Sequence, residues 1–240
     1  MSLPDVVSRE QWLEARRQLL AQEKALTRRH DALNAERRRL PMVRIDKDYV
    51  FEGPDGEVTL ADLFGDHRQL VVQHVMFGPD WEQPCPGCTA SINAFPLFML
   101  DQLATRQTAL VFTSRAPYGK IAAKAAERGW TIPWYSAHGS DFNYDFGVSL
   151  DAERGQIEYN YRPEPDAVGG ETSTELPGYS CFLRDGDDIY HTYSAYARGT
   201  EATVGAYVLL DWTALGRQED WEEPKDRSGA TRGGDPTFTS

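Results

Sequence analysis

The sequence predicts an α/β fold, a parallel sheet covered by helices, and three observations carry that prediction. Apolar runs with strand character at Gln69–Met76, Thr108–Thr113 and Trp130–Ser136 alternate with helical spacing at Thr89–Ala104 and Tyr118–Arg128. A βαβα order of this kind needs crossover helices over a parallel sheet. Gly and Pro stand at the joints: Gly78-Pro79 after the first strand, Pro117 opening the second helix and Gly129 closing it. The first strand-to-helix connection carries Cys85-Pro86-Gly87-Cys88, two thiols that one helical turn would bring together.

The bulk numbers fit a soluble globular chain: 240 residues, 40% hydrophobic and 26% charged. No apolar run reaches the roughly 20 residues of a membrane helix. The first residues, MSLPDVVSREQWLEARR, lack the apolar core of a signal peptide, so a cytoplasmic location and no membrane partner are expected. Three cysteines are too few for a secreted disulfide scaffold. The net charge of −12 is uneven. Residues 1–47 hold 11 Lys/Arg against 7 Asp/Glu, and residues 48–240 hold 14 against 30. An acidic body repels phosphate, which argues against a nucleic-acid partner. The basic arm is expected to lie on the acidic body of its own chain or of a partner subunit.

Taken in order, Ser8-Arg9-Glu10-Gln11 predicts a capping box, and the run to Arg39 lacks Gly and Pro. Trp12, Leu19, Leu26, Leu33 and Leu40 recur every seven residues, while the alternate heptad position is polar or small. This is a long helix with a narrow apolar seam, suited to packing on the body or on a second copy as a homodimer. Met42–Phe51 alternates as a strand, Gly53–Gly56 is a turn and Val58 resumes, a hairpin. Leu60–Phe64 reads as one helical turn. Pro96 should kink the Thr89–Ala104 helix. Gly139–Gly147 (GSDFNYDFG) is a structured loop or short helix. Gln156–Tyr161 is a short strand in an acidic excursion, Tyr179–Arg184 and Ile189–Tyr193 form a second hairpin, and Thr203–Leu210 is a helix. The expected division is an N-terminal helical arm over 1–41, one domain over 42–216 and a mobile tail over 217–240.

Cys85 is the nucleophile candidate, because a helix N-terminus stabilises its thiolate; Cys88, one turn on, would be more buried and would resolve a mixed disulfide. Three readings of the pair stand side by side: a redox site, a buried structural pair and a metal half-site. A zinc site needs four ligands, and Cys181, His74, His138 and His191 are scattered along the chain and read as structural residues. No metal is therefore expected. The GSDFNYDFG segment either walls the cysteine pocket or caps the sheet with its aromatics. Arg115, leaving the carboxyl end of the Thr108–Thr113 strand, can stabilise a thiolate or an anionic substrate, or form an ion pair. Trp81, Pro86, Arg115, Asp141, Phe142, Asn143 and Tyr144 make up the candidate substrate pocket. No nucleotide-binding loop, dinucleotide fingerprint or hydrolase elbow is present, and no bound cofactor is implied.

The unit of strand, Cys-x-x-Cys and helix, followed by βαβ, a hairpin and a last helix, resembles the thioredoxin superfamily. Phe77-Gly78-Pro79-Asp80-Trp81 before Cys85-Pro86, and Trp130–Trp134 with Phe146-Gly147-Val148, are similar to its peroxiredoxin branch. LTRRHDALNAERRRLP at Leu26–Pro41, KDYVFEGPDG at Lys47–Gly56, MFGPDW at Met76–Trp81, SRAP at Ser114–Pro117, GSDFNYDFGVS at Gly139–Ser149 and HTYSAYARG at His191–Gly199 resemble a thioredoxin-like bacterial family, domain-of-unknown-function family 899. The resemblance implies a thioredoxin-like fold: a central mixed sheet flanked by helices, with an added long N-terminal helix and β-hairpin. It also places Tyr193, Tyr196 and Arg198 near the site. The chain departs from the thioredoxin pattern at Pro84, where thioredoxins carry Trp. Counted back from Asp185-Gly186, Gly178 or Tyr179 stands nearer the usual cis-proline position than Pro177 does.

The expected function is thiol–disulfide oxidoreduction on a disulfide-containing protein or a small thiol or peroxide substrate, with an external thiol reductant. Disulfides are favoured over peroxides, because Asp80–Pro84 offers no hydroxyl before Cys85 as peroxidatic sites do. The competing expectation is a non-catalytic binding protein that uses the aromatic pocket or the N-terminal helix.

Overall fold

The structure, a computed structural model, describes residues 3–219 and 221–224. The chain divides into two units, one of residues 42–209, the other of residues up to 41 joined by those from 210 onward. The division falls after residue 209, short of the end at 216 read from the sequence. The tail expected over 217–240 lies mostly outside the described residues.

In the second of these units, α1 (Arg9–Arg37) begins with the capping box: the Ser8 N–H donates to Gln11 Oε1 (3.0 Å) and the Gln11 N–H to Ser8 Oγ (3.3 Å). None of its residues is buried. Trp12, Leu19, Leu26 and Leu33 are exposed along it.

The larger unit is built on one eight-stranded sheet. Its strands are β1 (Val43–Arg44), β2 (Val50–Gly53), β3 (Gly56–Thr59), β4 (Gln69–His74), β5 (Thr108–Ser114), β6 (Trp134–Ser136), β11 (Gly178–Asp185) and β12 (Asp188–Tyr196), in the order β1-β12-β11-β4-β5-β6-β2-β3. Small two-stranded pairs join β7 (Ser149–Asp151) to β10 (Ser173–Glu175), and β8 (Glu158–Tyr159) to β9 (Arg162–Pro163). The helices are α2 (Pro86–Asn93), α3 (Phe98–Ala104), α4 (Tyr118–Arg128), α5 (Phe142–Asp145) and α6 (Gly205–Asp211), the last running across the division. Strands β4, β5 and β6 are parallel, while β11 runs antiparallel to both β4 and β12. A parallel βαβ unit, with an antiparallel hairpin beside its first strand and a helix after it, is the thioredoxin-like arrangement.

Several boundaries differ from the sequence reading. Met42–Phe51 is not one strand. Its two ends pair with different partners, Val43 with His191 of β12 and Glu52 with Ser136 of β6. Six residue steps from Arg44 to Val50 span at most about 21 Å, whereas six strand spacings in a flat sheet come to about 29 Å. The sheet must therefore curl. Lys47 holds the crossing segment, donating to Asp141 Oδ2 (2.7 Å) and Asp145 Oδ2 (2.8 Å). Pro96 interrupts the expected helix rather than bending it, because it has no N–H to donate and its ring crowds the preceding turn. The result is α2 and α3 as separate helices. Gly129 closes α4 at φ +66°, as a left-handed cap should. The strand read over Trp130–Ser136 is confined to its last three residues, and α6 starts at Gly205 after a 3₁₀ segment over Ala197–Thr203.

Side chains alternate along β4 and β5 and so divide the core between the two sheet faces. Leu70, Val72 and Val111 join Phe51, Phe64, Phe142, Phe146 and Phe182 in one cluster. Leu110, Phe112 and Val75, with Val71 packed alongside, join Cys88, Ile92, Ile121 and Trp134 in the other. His74 belongs with the first set. Its ring is fully buried near Phe142 (centroids 5.6 Å apart). A chain of hydrogen bonds runs from His74 Nε2 to Ser180 Oγ (2.9 Å), on to Ser194 Oγ (3.0 Å) and to His191 Nε2 (2.8 Å). Burial pushes the His74 pKa down to about 3 from an ordinary 6.5.

Because that pKa is depressed, the folded state binds the proton less tightly than the unfolded chain does. The stabilisation is whole above about pH 6.5 and is lost as the pH falls toward 3. Urea midpoints recorded from pH 7 to 4 should decline, by on the order of 1 kcal/mol per pH unit from this group. His74→Gln should flatten the slope, and an unchanged slope would assign the acid sensitivity to other residues.

Candidate active site

Cys85 and Cys88 meet at the end of β4 because both are tied to the backbone of one residue, Met76. The Cys85 N–H donates to the Met76 carbonyl (2.9 Å), and the Met76 N–H donates to Cys88 Sγ (3.4 Å). Cys85 is the N-cap of α2 and Pro86 its first residue, where a missing N–H costs nothing. The Thr89 N–H closes the first turn on the Cys85 carbonyl at 2.9 Å. N–H groups ahead of that bond have no partner within the helix, so the positive end of the α2 dipole lies at Cys85.

All three cysteines are free thiols. Cys88 is buried and Cys85 half-exposed. The Cys88 pKa is pushed up, first by its hydrogen bond to Cys85 and then by burial, while the Met76 N–H opposes the shift. This is the signature of a pair in which the inner sulfur keeps its proton and donates it to the outer one. Cys181 lies apart on β11, with its thiol pushed up to about 11 by burial.

The pair opens into a cleft of about 260 Å³ bordered by Gln73, His74 and Met76 at the β4 end, Gly87 and Ser91 from α2, Pro177, Gly178 and Tyr179 at the start of β11, Thr200, Glu201, Thr203 and Val204 ahead of α6, and Tyr207 within it. Gly178 can only be glycine here, since an added Cβ would stand 2.8 Å from the Tyr196 ring and 2.9 Å from Val148. Pro177 is trans; among the described residues the cis peptide bond precedes Pro224. Burial raises the Tyr179 pKa; of the hydroxyls beside it, Ser91 Oγ accepts from Gln73 Nε2 (3.3 Å) and Thr203 Oγ1 donates to the Thr200 carbonyl (2.7 Å).

Most of the sequence-predicted pocket is elsewhere, which corrects that expectation. Phe142 is fully buried in the cluster containing Leu70 and Val72, across the sheet from Cys88. Tyr144 is stacked by two guanidinium groups, Arg115 at 4.5 Å and Arg154 at 3.8 Å. Asp141 pairs with Lys47 and Arg154, which hold its carboxyl down at about 2. Asn143 is buried, with its side-chain Oδ1 unpartnered. Arg115 Nη1 donates to Glu175 Oε1 (3.0 Å), whose carboxyl is raised by burial and also accepts from Ser149 Oγ (2.5 Å). Trp81 packs beside Cys85 on the core and over Gly78, and Pro86 is exposed; neither borders the cleft. The aromatics at Phe142 and Phe146 thus cap the sheet. Sequence reasoning missed Gln73, Ser91, Tyr179 and Thr203. The period-2 alternation could have found Gln73 and Tyr179, which pair across β4 and β11 and so share the cysteine face.

Among the described residues, no group of three His, Cys, Asp or Glu side chains converges as metal ligands do, and no helix is long and apolar enough to cross a membrane. The model of a family described as "Bacterial protein of unknown function (DUF899)" matches residues 1–232. No curated protein matches the chain. Among solved structures, it is similar to Xanthomonas campestris peroxiredoxin Q (14% identity, TM-score 0.44, 68% of this chain and 89% of that one). It is also similar to the peroxidoxin BcpB of Mycobacterium tuberculosis (18%, 0.43, 66% and 90%) and to a hypothetical protein of Sinorhizobium meliloti (15%, 0.37, 71% and 81%).

Iodoacetamide titration with peptide mass spectrometry should find Cys85 alkylated first, Cys181 more slowly because its thiol is pushed up to about 11, and Cys88 only on unfolding. Cys88→Ala removes the proton donor to the Cys85 thiolate and should raise the pH midpoint of Cys85 alkylation by about one unit. An unchanged midpoint would mean that the inner thiol does not stabilise the outer one.

Proposed function

We propose that this chain, which belongs to the bacterial family of unknown function DUF899, is a thiol–disulfide oxidoreductase acting through Cys85 and Cys88. The observation that carries the reading is the asymmetry of the pair: an outer thiol at a helix N-terminus, facing a cleft, hydrogen-bonded by a buried inner thiol that holds the proton.

In the reaction this supports, the Cys85 thiolate attacks one sulfur of a disulfide RSSR′. The S–S bond breaks, Cys85–S–S–R forms, and R′S⁻ leaves and takes a proton from solvent. Cys88 then gives up its proton and attacks Cys85 Sγ, closing the Cys85–Cys88 disulfide and releasing RSH. The substrate gains two electrons and the protein loses two, and an external thiol reductant restores the dithiol. The chemistry asks for no bound cofactor. Disulfides suit the site better than peroxides. Among the described residues no Lys or Arg borders the cleft to polarise an O–O bond, and Arg115 is engaged by Glu175 and Tyr144.

The apolar stripe of α1 supports a second proposal, self-association of two copies through this helix, since Trp12, Leu19, Leu26 and Leu33 are exposed along one seven-residue repeat.

With 2-hydroxyethyl disulfide or insulin as substrate and dithiothreitol as reductant, Cys85→Ser should abolish turnover. Cys88→Ser should stop after one event and accumulate the Cys85 adduct, visible by intact mass. Turnover that survives Cys85→Ser would overturn the assignment. On gel filtration the Leu19→Glu/Leu26→Glu variant should elute as a monomer beside a dimeric wild type; identical elution rules out association through α1.

A further inference from the structure

A second and larger hollow, of about 520 Å³, adjoins the cysteine cleft. Its floor is Val71 and Leu110 of the sheet, and one wall is Phe95, Pro96, Met99 and Leu103, where the break at Pro96 turns α3 away from α2. The opposite wall is the stretch entering α6. The two spaces share Ser91, Tyr179, Thr203 and Val204. Among the described residues no charged one lines the larger hollow, and its three polar residues, Ser91, Tyr179 and Thr203, all stand on the shared boundary. Thr203 Oγ1 donates to the Thr200 carbonyl (2.7 Å) and Ser91 Oγ accepts from Gln73 Nε2 (3.3 Å), so both hydroxyls are engaged by protein rather than held open for a charged group in the hollow.

We infer that the hollow is a subsite for an uncharged apolar arm of the substrate, so that the preferred substrate is a low-molecular-weight disulfide carrying an aliphatic or aromatic substituent. This rests on the oxidoreductase reading above. The continuity of the two spaces gives the geometric reason: a disulfide sulfur at Cys85 has one substituent directed past Tyr179, and the space beyond is apolar. The volume is that of a small-molecule site, which usually falls between roughly 300 and 1,000 Å³. The chemical reason is desolvation. A carboxylate or ammonium placed there would lose its water with no partner to replace it, so glutathione disulfide and cystine, charged on both arms, are disfavoured. An alkyl arm gains with each methylene taken out of water.

The test uses the reduced full-length protein and follows its oxidation in stopped flow by tryptophan fluorescence. The substrates are mixed disulfides of 2-mercaptoethanol with ethyl, butyl, hexyl and octyl thiols, with 2-hydroxyethyl disulfide and glutathione disulfide alongside. The second-order rate constant should climb roughly fourfold per methylene, with glutathione disulfide slowest. Ala202→Trp, at the exposed rim of the hollow, should collapse the octyl-to-ethyl ratio toward one, and Met99→Gln should lower it. Reaction with every disulfide at rates independent of chain length overturns the apolar subsite and leaves the oxidoreductase reading standing. No reaction with any disulfide, while iodoacetamide still alkylates Cys85, overturns the oxidoreductase reading. In that case calorimetric titration with 1-octanol decides the subsite: saturable binding weakened by Ala202→Trp upholds an apolar-ligand site, and no binding overturns it.

Discussion

Strand β4 sends Leu70, Val72 and His74 to one side and Val71 and Gln73 to the other, and protein covers both sides. A strand covered on both faces cannot slip by one residue without exchanging its two sets of side chains. That register fixes which face receives α2 and therefore the side on which Cys88 is buried. The Met76 peptide then ties both cysteines to the strand end. The position of the sulfurs is thus a consequence of sheet packing, with α2 adding the local field.

The other face has a different task. Its phenylalanines come from five separate places in the chain, β2, the turn at Phe64, the two ends of α5, and β11, and the curled sheet gathers them. The curl follows from a length constraint: the short segment between β1 and β2 must connect strands six places apart. Lys47, in the middle of that segment, binds Asp141 and Asp145 at the two flanks of α5. The GSDFNYDFG motif is therefore the point where the crossing segment, α5 and the aromatic core are fastened together. Its Asp141, Tyr144 and Asp145 are occupied in that fastening and by Arg154 and Arg115.

The dithiol face combines a smaller cleft with a wider, more apolar hollow, and Ser91, Tyr179, Thr203 and Val204 border both. In the proposed reaction the first would hold the reacting sulfurs and the second the substituent. The hollow depends on two local interruptions: the break at Pro96, which opens the wall, and the 3₁₀ segment before α6, which delays that helix until Gly205. Either interruption removed would bring helix into the space.

Much of the architecture was legible in the chain itself. The capping box at Ser8, the cap at Gly129, the strands β4 and β5, the β2–β3 and β11–β12 hairpins and the placing of Cys85 and Cys88 at a strand-to-helix junction all follow from spacing and turn chemistry, which act within a few residues. The split of Met42–Phe51 was not legible, because alternation cannot tell which edge of a sheet a strand joins. Nor was the location of Phe142 and Tyr144 away from the cysteines, because an aromatic loop that caps a sheet and one that walls a pocket share a composition. The sequence by itself determined the α/β class, the order of the elements and the place of the Cys85–Cys88 pair at a strand-to-helix junction. Only the tertiary structure decided which residues face that pair. Gln73, Ser91, Tyr179 and Thr203 are brought together by strand pairing and helix packing across more than a hundred positions, and no local pattern records such long-range contacts.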